Sequence, residues 1–391
     1  MNREISVMRF VLLRPSESGS PARANAAWQS RVAALAVCLI VASASCSQAA
    51  ELASEKSTSV DTAIARFMAA KRVPGLSAAI VTDGQLSLER GYGLSDVENQ
   101  VPASAATVYR LASISKMLTA VAVMQLVEQE KLDLSAAIQK YVPSFPEKKA
   151  PITAELLLKH QSGIRHYKDD EVRSAVFYNR VGDSLAIFQN DPLLFTPGER
   201  FTYTTYGYNL LGAAIEGASG QDYVRYVQEH ICQKAGMTTI QPDNPYKIIP
   251  HRAAGYRIKG SPDKGELLND FMVDVTNKIP GGGWCSTAGD LGRFAIALAD
   301  GKLVSRETLE RMWTPQVPGN GKATGYGFGC SINVVNGQRR VAHSGGQPKV
   351  STFLVLSPER RAAVALMCNL QNTPVQSLAG EILEIITKSE P

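Results

Sequence analysis

Ser113-Ile114-Ser115-Lys116 places a hydroxyl and an amine three residues apart. The run that follows, from Met117 to Gln129, is rich in Met, Leu, Ala and Val and contains no Gly or Pro, which predicts a helix. Residues three apart on a helix share a face, so we expect these two side chains to lie side by side. A buried lysine with a lowered pKa can accept a proton from a serine. The pattern therefore predicts that Ser113 is a nucleophile activated by Lys116.

The same spacing occurs a second time, in Ser261-Pro262-Asp263-Lys264. Pro and Asp separate its two ends and a glycine lies on each side, a composition that is typical of a loop. We expect no chemistry there, because a loop does not align the hydroxyl with the amine.

Two further segments carry groups that an acylating serine needs. Tyr203-Thr204-Thr205 offers a phenol just before a predicted helix at 207–219, although aromatic residues at such places are often there for packing. His343-Ser344-Gly345-Gly346 follows a predicted strand, and its glycines allow close approach of the backbone and free its N–H groups to donate. Taken alone, that second segment is equally compatible with a glycine turn beside a surface histidine.

The composition fits a globular protein with a full core. The chain has 391 residues, of which 45% are apolar and 20% are charged. Its formal net charge is +5, and most of that excess belongs to the first fifty residues, so no footprint for nucleic acid is predicted. Cys232, Cys285, Cys330 and Cys368 are widely spaced and are expected to be small buried hydrophobes, with pairing left open.

Residues 1–50 form a leader with five arginines, an apolar run from Val32 to Ala44 and a cut site at Ser47-Gln48-Ala49. This pattern favours an export signal and a periplasmic or envelope location; an organelle leader, or a true start at Met8, is the alternative. Cys46 lies where a bacterial lipoprotein is cut and acylated, but Ser43 replaces the usual large apolar residue. A lipid anchor there stays open.

Strand patterns lie at both ends of the chain and helical patterns lie between them. This predicts a mixed α/β (α+β) fold, with an antiparallel sheet formed by the two ends, flanking helices and an inserted, mostly helical lobe. We expect a single domain at 51–391, with the sheet lobe at about 55–110 and 320–391 and the helical lobe at about 111–319.

The order of the three segments resembles the serine beta-lactamase and penicillin-binding-protein family, particularly its class C branch and, within it, the mitochondrial serine beta-lactamase-like subgroup and its bacterial relatives. The resemblance covers roughly 60–386. It also includes Val73-Pro74-Gly75-Leu76, Tyr109-Arg110-Leu111-Ala112-Ser113, the run from Leu157 to Ile164, Gly281-Gly282-Gly283 with Ser286-Thr287, and Cys368-Asn369.

The resemblance implies roles for the matching residues. Ser113 would be the nucleophile, and Lys116 its proton acceptor, alone or shared with a Tyr203 phenolate. Tyr203 would relay the proton to the leaving group. The backbone N–H groups of Ser113 and Gly346 would form the oxyanion hole. His343, Ser344 and Gly345 would occupy the place of the family's Lys-Thr-Gly strand.

Two departures from the family pattern affect substrate recognition. Thr205 stands where relatives often have an asparagine, and a hydroxyl offers less reach to a substrate amide than a carboxamide does. His343 replaces a lysine, so a fixed positive charge expected to meet a substrate carboxylate becomes a group that ordinarily titrates near neutrality. Lys349 stands where relatives often have a glycine, and we expect it to be a solvated lysine rather than a source of charge at the pocket.

The sequence therefore predicts a serine hydrolase that acts through an acyl-enzyme on a beta-lactam, a D-amino-acid peptide or a small ester, with a peptidase or esterase favoured. The alternative is a catalytically silent envelope scaffold or penicillin-recognising binding protein. The sequence contains no G-x-S-x-G motif, which argues against the nucleophile elbow of an alpha/beta-hydrolase. No cofactor or metal is predicted, because the five histidines show no ligand spacing, and His160 and His166 are expected to be structural.

Overall fold

The computed structural model of the chain describes residues 51–388. The export signal and the open question of a lipid anchor at Cys46 concern residues outside this range, so the export signal stays a prediction and the anchor stays open. The helices are α1 Ser54–Lys71, α2 Ser115–Glu128, α3 Ala154–Leu158, α4 Thr205–Ser219, α5 Tyr223–Val227, α6 Gln233–Ala235, α7 Ile279–Gly282, α8 Ala288–Ala299, α9 Arg306–Met312 and α10 Val375–Thr387. The strands are β1 Gly75–Thr82, β2 Gln85–Asp96, β3 Val101–Pro102, β4 Tyr109–Arg110, β5 Gln241–Pro242, β6 Tyr256–Lys259, β7 Glu266–Asn269, β8 Trp284–Ser286, β9 Ser331–Val335, β10 Gln338–Gln347, β11 Val350–Ser357 and β12 Ala362–Cys368.

The main sheet has seven strands in the order β3-β2-β1-β12-β11-β10-β9. Its centre joins the two ends of the chain, because β1 pairs antiparallel with β12, Leu76 opposite Cys368 and Val81 opposite Ala363. The predicted fold class, a mixed α/β fold whose antiparallel sheet is formed by both ends of the chain, is confirmed.

Alternate residues of β1 serve two cores, as the two-residue period of a strand requires. Leu76, Ala78 and Ile80 belong to a core shared with α1 and α10, whereas Ala79 and Val81 join the core of the helical lobe. Helix α8 packs on β1 and β12 from this second side. The sheet is therefore buried on both faces. Strand β10 belongs to this sheet and contacts the turn that begins the helical lobe.

Helix α2 runs through the middle of the helical lobe. Every residue from Ser115 to Leu126 is buried. A helix that is apolar all round is stable only when it is surrounded by protein, which is why the sequence shows no polar stripe here. Lys116 lies in the first turn of this helix and is therefore withdrawn from solvent.

Several local signals are confirmed. The β1–β2 hairpin turns at Asp83 and Gly84, whose φ angles of 53° and 76° fit the left-handed pair that such turns require. Thr287 caps α8 by accepting from the N–H of Asp290, and Gly220 ends α4 with a φ of 70°. The second S-x-x-K motif forms the turn between β6 and β7, as expected for a loop.

Two predicted helices differ in detail. The pattern at 221–235 is interrupted by a π turn at Gln228–Cys232, which separates α5 from α6. The pattern at 184–189 corresponds to a 3₁₀ segment at Gly182–Ile187. Six residues are too few to sustain an α-helix without strong packing, and the tighter 3₁₀ form is common in such short pieces.

Candidate active site

Ser113 lies on a short 3₁₀ turn, Ala112–Ile114, that leads into α2. Its neighbour Ala112 is buried and has a φ of 47°, in the left-handed region that residues other than glycine rarely adopt. Backbone strain of this kind persists only where the surrounding structure holds it in place, and it is found most often at functional sites. The turn packs against β10.

A cavity of about 290 Å³ opens over Ser113. The three segments that the sequence singled out meet at this cavity, one from the start of α2, one from the loop before α4 and one from β10. Its lining residues are Ser113, Tyr203, Tyr326, Ser331, His343, Ser344 and Gly346.

Lys116 lies beside the nucleophile. Its Nζ atom is 3.1 Å from Oγ of Ser113, 3.2 Å from Oγ1 of Thr205 and 2.6 Å from the carbonyl oxygen of Gly281. Complete burial holds the pKa of Lys116 well below its usual range, and the positive charge of Lys278 lowers it further. As an ammonium, Lys116 donates to all three oxygens; as a neutral amine, the form that burial favours, it has two hydrogens and can accept from a hydroxyl instead.

Tyr203 lines the same cavity as Ser113, and the centroid of its ring lies 4.8 Å from Nζ of Lys116. Burial raises the pKa of Tyr203 above its ordinary value, so the phenol is protonated at neutral pH. The raised pKa disfavours a resting Tyr203 phenolate, and the role of Lys116 as the base of Ser113 stays a prediction.

His160 and His166 hold the Tyr203-Thr204-Thr205 segment in place. Nδ1 of His160 accepts from the N–H of Thr204 at 3.2 Å, and Nδ1 of His166 accepts from the N–H of Thr205 at 3.1 Å. The His160 ring also packs on the Tyr203 ring, with 4.3 Å between centroids. Burial lowers the pKa of His160 well below its ordinary value and that of His166 to about 4. Both rings therefore stay neutral and act as the structural residues that the sequence suggested.

His343 differs from its sequence-based expectation. Its Nε2 lies 3.0 Å from the hydroxyl of Tyr326, and its Nδ1 lies 2.6 Å from the carbonyl oxygen of Ser344. Burial, together with the nearby Lys116, lowers the pKa of His343 to about 3. The ring is therefore neutral throughout the physiological range and does not titrate near neutrality, because it is enclosed and has no carboxylate partner.

The remaining predicted site residues divide between the cavity and its support. Ser344 is exposed and Gly346 opens on free space, so both line the cavity. Gly345 lies inside the sheet, where a Cβ would come within 2.4 Å of the Leu111 carbonyl oxygen. Thr205 is buried with its hydroxyl on Lys116, so the structure places it behind the nucleophile.

Sequence reasoning missed three groups at the site. Tyr326 lies in a loop with no motif of its own, and the Gly281 carbonyl is a backbone atom. Lys278 is 1% exposed, and its Nζ lies 4.7 Å from the centroid of the Tyr167 ring. Burial, with Arg110 nearby, lowers the pKa of Lys278 to about 7. Its place just before the Pro280-Gly281-Gly282-Gly283 run was the one available signal.

Lys349 does not line the cavity over Ser113. Its Nζ lies 3.5 Å from Sδ of Met272, and the residue lines a separate small cavity with Arg110 and Asp243. Within 51–388 no cluster of His, Cys, Asp and Glu is arranged to hold a metal ion. The four cysteines in that range are buried free thiols, and no helix there is long and apolar enough to span a bilayer.

Two features decide the class of protein: the antiparallel sheet formed by both chain ends, and the pair of Ser113, on the turn before α2, with the buried Lys116 in the first turn of α2. The model of the Beta-lactamase family matches residues 60–386, and the chain belongs to this family. It is 32% identical to the serine beta-lactamase-like protein LACTB, mitochondrial, of Mus musculus, over 79% of this chain and 76% of that protein. It is 30% identical to Protein flp of Staphylococcus aureus (strain MW2), over 85% of this chain and 66% of that protein.

Solved structures agree with this assignment. The octameric penicillin-binding protein homologue from Pyrococcus abyssi superimposes with a TM-score of 0.72 at 28% identity, covering 84% of this chain and 77% of that chain. The D-amino acid amidase from Ochrobactrum anthropi SV3 superimposes with a TM-score of 0.74 at 22% identity, covering 85% of this chain and 99% of that chain, which is evidence for the fold alone.

Proposed function

We propose that this protein is a serine hydrolase that cleaves ester or amide bonds through a covalent acyl-enzyme on Ser113. The observation that carries the proposal is the placement of the Ser113 hydroxyl between two groups of opposite character. One is a buried amine with a lowered pKa, and the other is a half-buried phenol with a raised pKa. Together they supply a base and an acid at the same oxygen.

In the acylation step, Lys116 takes the hydroxyl proton as Oγ of Ser113 forms a bond to the substrate carbonyl carbon. The backbone N–H groups of Ser113 and Gly346 are the proposed donors to the resulting oxyanion. Tyr203 gives its proton to the departing oxygen or nitrogen as that atom's bond to carbon breaks. The proton on Lys116 then passes to the Tyr203 oxygen, which restores both groups.

Deacylation repeats these transfers with water in place of the leaving group. Lys116 accepts a proton from the attacking water, and Tyr203 returns a proton to Oγ of Ser113 as the acyl bond breaks. One water is consumed, and the products are a carboxylic acid and an alcohol or amine. The proton on Lys116 then passes to the Tyr203 oxygen, so each side chain ends in its starting protonation state.

We propose small esters and peptide-like amides as substrates ahead of beta-lactams. The Thr205 hydroxyl is bonded to Lys116, so it is not offered to a substrate amide. The neutral His343 brings no positive charge to the cavity wall.

The test is a hydrolysis panel of nitrocefin, D-alanyl peptides and p-nitrophenyl esters. We expect turnover of at least one ester or peptide by the wild type and loss of that turnover in Ser113→Ala. Ser115→Ala is a matched control, because the Ser115 hydroxyl is buried without a hydrogen-bond partner two residues away. If none of the compounds is hydrolysed, or if Ser113→Ala is as active as the wild type, the proposal is wrong and a silent binding protein takes its place.

A further inference from the structure

The wall of the cavity beside Tyr203 has no free charged donor. It consists of Tyr326, Ser331, His343 and Ser344, and the Tyr203 and His343 rings are 6.3 Å apart between centroids. Because Tyr203 protonates the leaving group in the proposed mechanism, this wall contacts the leaving-group half of a substrate. What that half can carry depends on the hydrogens that the wall presents.

The hydrogens of this wall can be assigned one by one. The Ser344 carbonyl can only accept, so Nδ1 of His343 carries the hydrogen and its Nε2 is an acceptor. The Tyr326 hydroxyl therefore donates to Nε2 of His343 at 3.0 Å. Nδ1 of His160 is itself an acceptor, of the Thr204 N–H, so its Nε2 carries the hydrogen, which points at the Tyr326 oxygen 3.3 Å away.

In this series of hydrogen bonds, His160, Tyr326 and His343 are therefore each already bonded to a neighbour. Protonating His343 would place a hydrogen on Nε2 and leave Tyr326 without an acceptor for its own. The Ser331 hydroxyl is also used, since it donates to the carbonyl of Ala342 at 2.9 Å. Among the lining residues of the wall, only the exposed Ser344 hydroxyl has no such assignment, and it is a neutral donor.

Neither Lys116 nor Lys349 replaces the missing charge. Lys116 is bonded to Thr205 and Gly281 behind the nucleophile. Lys349 lies in the other cavity, against Met272. A carboxylate placed against the wall would lose water and gain no counter-ion, which is costly.

We propose that the site selects substrates whose leaving group is uncharged, such as a carboxamide, a neutral ester or a continuing peptide chain, and discriminates against leaving groups with a free carboxylate. This inference rests on the proposed hydrolase function. The low pKa of His343 agrees with it, because acidification to about pH 5 does not create a charge at this position.

Matched activated esters test the inference. We compare 3-carboxamido-4-nitrophenyl acetate with 3-carboxy-4-nitrophenyl acetate, which share the acyl group and differ in one ionised group of similar size. We expect kcat/KM to be at least tenfold higher for the carboxamide, with the same ratio from pH 5.5 to 8.5. Equal rates, a preference for the carboxylate, or a carboxylate preference that appears below pH 7 would overturn the inference while leaving the hydrolase function in place.

Two variants place a charge on the wall. We expect His343→Lys to shift the ratio of kcat/KM values at least tenfold towards the carboxylate ester. Ser344→Lys, which replaces an exposed side chain, should cause a shift of the same size. If the ratio stays unchanged in a folded Ser344→Lys protein, the wall does not discriminate between charged and uncharged leaving groups, and the inference is overturned. If the wild type hydrolyses neither ester, the inference is overturned, and the proposed function is then decided by the peptides and the other esters of the hydrolysis panel.

Discussion

The Nζ atom of Lys116 lies 2.6 Å from the carbonyl oxygen of Gly281. This contact uses one hydrogen of the amine and, with the bond to Thr205, holds Nζ at 3.1 Å from Oγ of Ser113. The glycine run before β8 therefore positions the amine that we propose as the base. The predictions below concern this base, its acid partner and the fold that holds them.

Removing the charge of Lys278 should change the pH dependence of catalysis. A protonated Lys278 disfavours protonation of Lys116, so Lys278→Met should raise the pKa of Lys116. We expect the acid limb of kcat/KM for p-nitrophenyl acetate to move to higher pH by about one unit. Lys131→Met, which removes an exposed lysine, should leave the limb in place. A limb that moves to lower pH would contradict this role.

The same substitution should change how stability depends on pH. Lys278 has a pKa of about 7 in the folded protein against an ordinary lysine value of 10.5, so between these values the unfolded chain binds one more proton. The free energy of unfolding therefore rises with pH across this window, by about 1.4 kcal/mol per pH unit for this group. Below pH 7 the burial of Lys278 destabilises the folded protein most. Urea unfolding at pH 7.5, 8.5 and 9.5 should show a shallower rise in Lys278→Met. The same slope as in the wild type would rule out a buried, titrating Lys278.

Tyr203→Phe should affect substrates according to their leaving group. An amine has to be protonated as it leaves, whereas p-nitrophenolate departs without a proton. We expect kcat/KM for a peptide amide to fall by about 10²–10⁴, and that for p-nitrophenyl acetate to fall by about tenfold or less. Equal losses for both substrates would assign Tyr203 to positioning of Ser113 rather than to proton donation.

The fold beside the site should depend on Asp243. This buried carboxylate accepts from Arg110 at 2.5 Å and pairs with Arg252 at 3.1 Å. Asp243→Ala leaves Arg110 buried without its partner, and we expect a loss of about 3–5 kcal/mol in the free energy of unfolding. Glu229→Gln, which breaks the exposed pair with Arg225, should cost less than about 1 kcal/mol. Denaturant unfolding of both variants checks the contrast, and comparable losses would contradict it.

The sequence predicted the fold class and the segments that line the candidate site, because both are visible as local patterns in the sequence. Strand alternation at both ends, the apolar run behind Lys116 and the Asp83-Gly84 turn each have a period or a composition that can be read directly. The order of the Ser113, Tyr203 and His343 segments added the family.

The charge states at the site could not be read in the same way. Whether His343 titrates near pH 6.5 or stays neutral depends on its enclosure and on Tyr326, a residue 17 positions away in a loop without a motif. The role of Lys278 depends on its distance from solvent and from Lys116. The position of Thr205 depends on how α4 meets α2. Each of these is set by packing between distant segments, which one sequence does not display.

Covalent trapping tests the central claim most directly. The protein is incubated with a fluorophosphonate and, separately, with a reporter penicillin, and the adduct is measured by intact mass and located by peptide mapping. We predict that the fluorophosphonate adds one adduct per chain, on the peptide that contains Ser113, in the wild type and in Ser115→Ala but not in Ser113→Ala. A wild-type chain that neither reagent labels, or a Ser113→Ala chain labelled to the same extent, would contradict the claim that Ser113 is the nucleophile.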